Sequence, residues 1–206
     1  MVRQRVRIRF CKQGDLRWIG HRDLARLFER LFRRAGLRLG MSEGFHPKPR
    51  ISFPSALALG MEGLDEIVEL ELAEPYAADA LLAHLQRFAV GGLRFTSVAV
   101  LPEGVKKAQI QGTEYSLRIP EDRGLPTAER IARLLADPRD TDPHEETPRP
   151  GDAIESLSLV DGVVHMRLRT SRRRIAGPRD VLAALGLDDL ERQGAILTRT
   201  RVDIAT

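Results

Sequence analysis

Two histidines, His21 and His46, lie among cations and are the side chains best suited to chemistry in this sequence. An imidazole that titrates near neutrality can act as general acid or base when a ribose 2′-hydroxyl attacks the adjacent phosphate of an RNA strand. A histidine at either position is more often structural or a phosphate ligand. Arg22 and Arg26, one helical turn apart, and Lys48 and Arg50, on alternate residues, are the phosphate candidates. A guanidinium offers paired donors that match phosphate oxygens, and an ammonium offers a compact charge. Phe45 and Trp18 have the flat faces on which unpaired bases stack, although core packing has the stronger claim on both. Arg172, Arg173 and Arg174 stand just before a helix start at Pro178, where free backbone N–H groups already favour an anion. The other histidines, His84, His144 and His165, have no comparable surroundings.

The elements that must position these groups can be read from the stretch Gly14 to Phe53. Leu24, Leu27, Phe28, Leu31 and Phe32 recur at three- and four-residue steps, so residues 21–35 form an amphipathic helix. Arg22, Arg26, Arg30, Arg33 and Arg34 fall on its opposite face, and Gly36 fits a helix stop. The loop SEGFHPKPRISF follows soon after. Pro47 and Pro49 hold the residues before them extended, which spaces His46, Lys48 and Arg50 along a stiff backbone between Phe45 and Phe53.

Charge is uneven along the 206 residues. The net charge is +4, but residues 1–53 carry +10, residues 54–101 carry −5, and the remainder is near neutral. The positive excess therefore coincides with the stiff loop, and a polyanion, RNA above all, is the expected partner. The first ten residues alternate charge with Val and Ile and lack the apolar block of a signal peptide, and no apolar run reaches membrane-spanning length. The reading is a cytoplasmic protein without a membrane partner. The single cysteine, Cys11, cannot form an internal disulfide and reads as a buried thiol at a strand end. No metal and no cofactor is assigned. Walker A, dinucleotide-binding, nucleophile-elbow and paired-cysteine zinc patterns are all missing, as is the aromatic pair of an ordinary RNA recognition motif.

Taken in order, RVRIRF at residues 5–10 is a strand, the helix follows, and LRLGMS at 37–42 is a short second strand. EIVELELA at 66–73 is a third strand, a helix opens at Pro75 and runs through Phe88, and LRFTSVAVL is the fourth strand. The order repeats. TEYSLRI at 113–119 is a strand and AERIARLLA at 128–136 a helix; residues 137–152, with four prolines and many charges, are a flexible loop. Two strands then flank Asp161-Gly162, a hairpin signal, before a short helix from Pro178 and a closing strand. The expected fold is α+β, two tandem ferredoxin-like βαββαβ units with antiparallel sheets, over residues 1–103 and 112–206.

The helix, the Gly44–Phe53 loop GFHPKPRISF and the small apolar segment ending at Gly60 resemble a bacterial family of unknown function, the radical-SAM-linked proteins. The resemblance covers most of the first hundred residues, with weaker echoes at IAGPRDVLAAL and LTRTRVDI. It implies a partner, since members of that family occur beside or fused to radical SAM proteins. A radical SAM enzyme needs three closely spaced cysteines for its cluster, and this chain has one. The resemblance thus implies a non-catalytic protein that binds tRNA or rRNA, or presents it, to a radical SAM enzyme in RNA modification. A looser, fold-level similarity to CRISPR repeat-processing RNA endonucleases implies instead a metal-independent endoribonuclease using His46 or His21. A protein-protein adaptor is the third reading.

Overall fold

The computed structural model describes residues 4–136, 150–170 and 176–205. The run Arg172–Arg174 and most of the predicted 137–152 loop lie outside them. The chain divides into two compact units, one reaching to Gln109 and the other spanning Ile110–Ala205. Among the described residues there are eight strands and five α-helices, an α+β protein in which the strand pairs within each unit are antiparallel.

The first unit contains β1 (Gln4–Lys12), α1 (His21–Arg34), β2 (Ile51–Ser52), β3 (Glu62–Leu72), α2 (Ala78–Gln86) and β4 (Leu93–Leu101). β1 is central, pairing with β3 on one side and β4 on the other, and β2 adds to the far side of β3. Alternation explains its two faces. Val6, Ile8 and Phe10 point to the helices and are buried, with Val68, Leu70 and Leu72 of β3 beside them. Leu24, Phe28, Leu31 and Phe32 of α1 and Leu81 and Leu85 of α2 close that core. Phe28 is its hub, with ring centroids 4.8 Å from Phe10, 5.5 Å from Phe32, 5.4 Å from Phe53 and 5.9 Å from Phe95. α1 stops where expected. Gly36 takes φ +68°, and Leu37 N–H reaches back to Phe32 O at 3.0 Å, the six-to-one bond of a Schellman cap.

The second strand departs from expectation. Residues 37–42 make only isolated bridges, Leu39 to Leu72 and Met41 to Pro49, and the strand itself is Ile51–Ser52. The chain meets the β3 edge through Gly40 N–H to Glu71 O, leaves it, and returns through Arg50 N–H to Gly40 O and Glu71 N–H to Arg50 O. Gly40 has no side chain to pack and Pro47 and Pro49 have no N–H to donate, so the ladder cannot run on. The basic loop is an excursion from a sheet edge.

In the second unit β5 (Ile110–Arg118), α3 (Gly124–Ala136), a single turn α4 (Pro150–Ala153), β6 (Ile154–Val160), β7 (Val163–Arg169), α5 (Pro178–Ala184) and β8 (Thr198–Ile204) follow one another. β5 is central between β8 and β7, and β6 pairs with β7. Pro150–Ala153 is helical where a loop was expected, because proline suits the first turn of a helix. Asp161 and Gly162 take φ 49° and 72° and join β6 to β7, as a tight primed turn requires. Asp180 Oδ2 accepts from Gly177 N–H at 2.7 Å and so secures the start of α5.

Candidate nucleic-acid interface

The helix-free face of the first sheet carries a ladder of opposite charges. Arg5, Arg7 and Arg9 alternate with the core residues of β1, and the register sets Arg7 opposite Glu69 and Arg5 opposite Glu71. Arg7 grips Glu69 Oε1 through Nε and Nη2 at 2.9 and 2.8 Å, and Arg9 pairs with Asp65. Beyond β4 the chain folds across this face. Val105 O accepts from Arg5, and Ala108 N–H donates to Glu69 Oε1 at 3.2 Å. Glu69 is consequently only 4% exposed, and its Oε2 makes no hydrogen bond. Removing one partner of a buried ion pair strands the other charge. Because the arginines keep some access to water, Glu69→Ala is expected to cost about 2 kcal/mol, read as a lower urea midpoint with an unchanged slope.

Between this crossing segment and β2 lies a cleft of about 360 Å³, lined by Arg5, Arg50 and Lys107, by Glu69 and Glu71, and by the hydroxyls of Ser42 and Ser52. Arg50 Nη1 holds Glu71 Oε2 at 3.1 Å. The basic loop forms one wall and is braced across its base by Ser42 N–H to Lys48 O at 2.8 Å and Lys48 N–H to Ser42 Oγ at 2.9 Å. Its outer residues project from that base: Phe45 is fully exposed, and His46 and Lys48 are exposed too.

Neither aromatic is a core residue. Trp18 is 59% exposed with the Arg17 guanidinium 4.9 Å above its ring, and Phe45 touches solvent all round. Core packing was expected because large aromatics usually bury most of their surface. Here Phe53, at the other end of the loop, takes that place, with its ring against Phe28, Phe10 and His21.

The structure brings only some of the candidates together. Lys48 and Arg50 share the loop and the cleft edge. Arg22 and Arg26 are exposed on α1, in the helix layer on the other face of the sheet, where Arg26 is 3.4 Å from Asp23. His21 stacks edge-on to Phe53 at 5.4 Å, and among the described residues no hydrogen bond or ring contact joins it to His46. His84 has a structural role: its Nε2 lies 2.7 Å from Ala35 O and so ties α2 to the end of α1. Cys11 is buried, with Sγ 3.0 Å from Leu64 O, and burial raises its pKa against the lowering effect of Arg94. The reading of residues by type and spacing missed Arg5, Glu69, Glu71 and Lys107. Arg5, Glu69 and Glu71 share one sequence signal, complementary charge on the alternate positions of two strands, Arg5-Arg7-Arg9 and Glu69-Glu71, whereas Lys107 lies on neither strand.

Among the described residues no group of three or more His, Cys, Asp or Glu side chains is placed to hold a metal ion, and no helix is long and apolar enough to cross a membrane. The chain belongs to the DUF2344 family of bacteria, described as uncharacterized conserved proteins, whose model matches residues 5–176. That match takes in both the basic loop and the cleft. No curated protein matches the chain. Among solved structures, an unknown protein from Galdieria sulphuraria aligns over 98% of this chain and 99% of its own at 12% identity and a TM-score of 0.29, too low to carry an argument.

Proposed function

We propose that this protein is a non-catalytic RNA-binding partner that holds or presents a tRNA or rRNA segment to a radical SAM enzyme. The observation that carries the RNA part is Phe45. A fully exposed phenyl ring on a braced, proline-stiffened loop, with Lys48 and Arg50 following it, is a stacking platform beside phosphate donors. Arg17 over the exposed Trp18 adds a second cationic aromatic surface on the same unit.

The radical SAM partner rests on the family resemblance of the Gly44–Phe53 loop. It accords with the chemistry of the chain, whose one cysteine is buried and hydrogen-bonded and leaves a three-cysteine cluster to another protein. We infer in addition that both units are ferredoxin-like. Each has a strand-helix-strand-strand-helix-strand course, interrupted in the second only by the α4 turn, with its first strand central and its strands in the order fourth, first, third, second.

The test is binding of the purified chain to cellular RNA across a salt series. Lys48→Ala and Arg50→Ala are each expected to weaken binding several-fold and to reduce the slope of log affinity against log salt by about 1. Unchanged affinity and slope in both variants overturns the reading. Capture of a partner protein that survives nuclease treatment, without RNA binding, favours an adaptor instead.

A further inference from the structure

We propose that the cleft beside the basic loop is a base-reading pocket for an unpaired guanine, an inference that rests on the RNA-binding reading. Its volume of about 360 Å³ is in the range of small-ligand sites. Its floor is unusual for a site that met phosphate alone, because two carboxylates, Glu69 and Glu71, line it among the cations. Arg7 and Ala108 already hold Glu69, but Arg50 bonds only one oxygen of Glu71, and an ionised carboxylate only accepts hydrogen bonds, so the other oxygen of Glu71 calls for a donor on the ligand. The occupant must bring donors.

Among the four bases only guanine brings two adjacent donors on one edge, N1–H and the 2-amino group, followed directly by an acceptor, O6. Adenine and cytosine offer an amino group beside a bare ring nitrogen, whose lone pair would face the carboxylate. Uracil offers one N–H between two carbonyl oxygens. The cleft presents the complement of guanine. Arg50 binds one oxygen of Glu71 at 3.1 Å, which fixes that carboxylate in place and sets a guanidinium next to it. Glu71 then accepts from N1–H and the 2-amino group, while Arg50 or Lys107 donates to O6, as cations do to this base elsewhere.

The rest of the cleft supports this assignment. Lys107 and the Ser52 hydroxyl have no hydrogen-bond or ion-pair partner among the described residues and stand ready for the ligand. Glu69 holds the frame, tied to Arg7 and to the crossing segment that carries Lys107. Ser42 and Arg50 belong to both cleft and loop, so a strand whose base stacks on Phe45 passes the cleft mouth within the reach of neighbouring nucleotides. Single-stranded RNA is read in this way, on Watson–Crick edges exposed by unstacking.

The experiment is fluorescence anisotropy of the full chain with labelled heptauridine and with heptamers whose central residue is guanosine, adenosine, cytidine or inosine. The guanosine heptamer is expected to bind about five- to a hundredfold more tightly than the others, the range by which a good bidentate contact discriminates. Inosine, which lacks only the 2-amino group, is expected to lose a large part of the gain, and this comparison leaves the protein untouched. Glu71→Gln should remove the preference for guanosine while heptauridine binding persists, and Lys107→Ala, on an exposed residue, should weaken guanosine binding more than uridine binding. Equal affinity for all central bases, with heptauridine still bound, overturns the pocket and leaves the RNA-binding reading standing. Failure to bind any heptamer overturns both.

Discussion

Phe28→Ala is expected to lower the unfolding free energy by about 3–5 kcal/mol, the range for deleting a fully buried aromatic ring. Phe28 has no exposed surface, and four phenyl rings from α1, β1, β4 and the loop end lie within 6 Å of its own. Tilted and edge-on pairs of this kind add to the area term, and rings held by several elements cannot collapse into the space that alanine would leave. The same substitution has a functional consequence. Phe53 packs on Phe28 and anchors the end of the basic loop, so the loop loses a fixed end when the ring is removed. Urea denaturation followed by far-ultraviolet circular dichroism measures the loss, and hydrogen exchange at Ile51 and Ser52 reads the loosening. A cost under about 1 kcal/mol would mean that the aromatic cluster is not what holds α1 to the sheet.

Periodicity made most of the elements legible. Leu93–Leu101 is the strand that LRFTSVAVL predicts, and the stripe from Leu24 to Phe32 gives α1 almost to the residue. In α1, and in the Leu93–Phe95 half of the strand, one face is buried and one is open, so the spacing of apolar residues records the packing directly. Residues 37–42 misled because Leu37, Leu39 and Met41 alternate like a strand while Gly40 and the prolines beyond it deny the edge a continuous ladder. The acids of β3 are a different case. Alternation of Glu with Ile, Val and Leu suggests one solvated face, yet Glu66 and Glu69 are 3% and 4% exposed. Glu69 is covered by residues nearly forty positions later, a contact that no local pattern encodes.

The candidate site divides along the same line. Lys48, Arg50 and Phe45 are near one another in sequence, and the two prolines make their arrangement readable as a stiff cationic loop. The cleft behind them is assembled from Arg5, Glu71 and Lys107, on two strands and a crossing segment, and depends on the β1–β3 register. A shift of one residue would turn every one of those strand side chains to the helix face. Charges concentrated in one stretch of sequence are therefore visible early, whereas a mixed-charge pocket becomes visible only when the register is known. Arg22 and Arg26 illustrate the converse: close to the loop in sequence, they sit on the opposite layer of the unit.

Joint replacement of Phe45 and Lys48 by alanine is expected to weaken single-stranded RNA binding about a hundredfold. Stacking on an aromatic side chain contributes about 1–3 kcal/mol per base, and loss of a cation adds a smaller, salt-dependent share. The two side chains act on different parts of a nucleotide, base and phosphate, but stand three residues apart on one loop, so comparing the double variant with both single variants measures their coupling. Stability should not change. Phe45 is fully exposed, and the only hydrogen bonds Lys48 makes within the loop use its backbone N–H and C=O, which alanine keeps. The salt series separates the two contributions: Lys48→Ala lowers the slope, while Phe45→Ala lowers affinity by a similar factor at every salt concentration. Phe45→Tyr should retain binding, because the phenol offers the same flat face, and a leucine at this position should not. If leucine serves as well as tyrosine, the ring is a greasy contact for a protein surface, and the loop belongs to an adaptor rather than to a platform for bases.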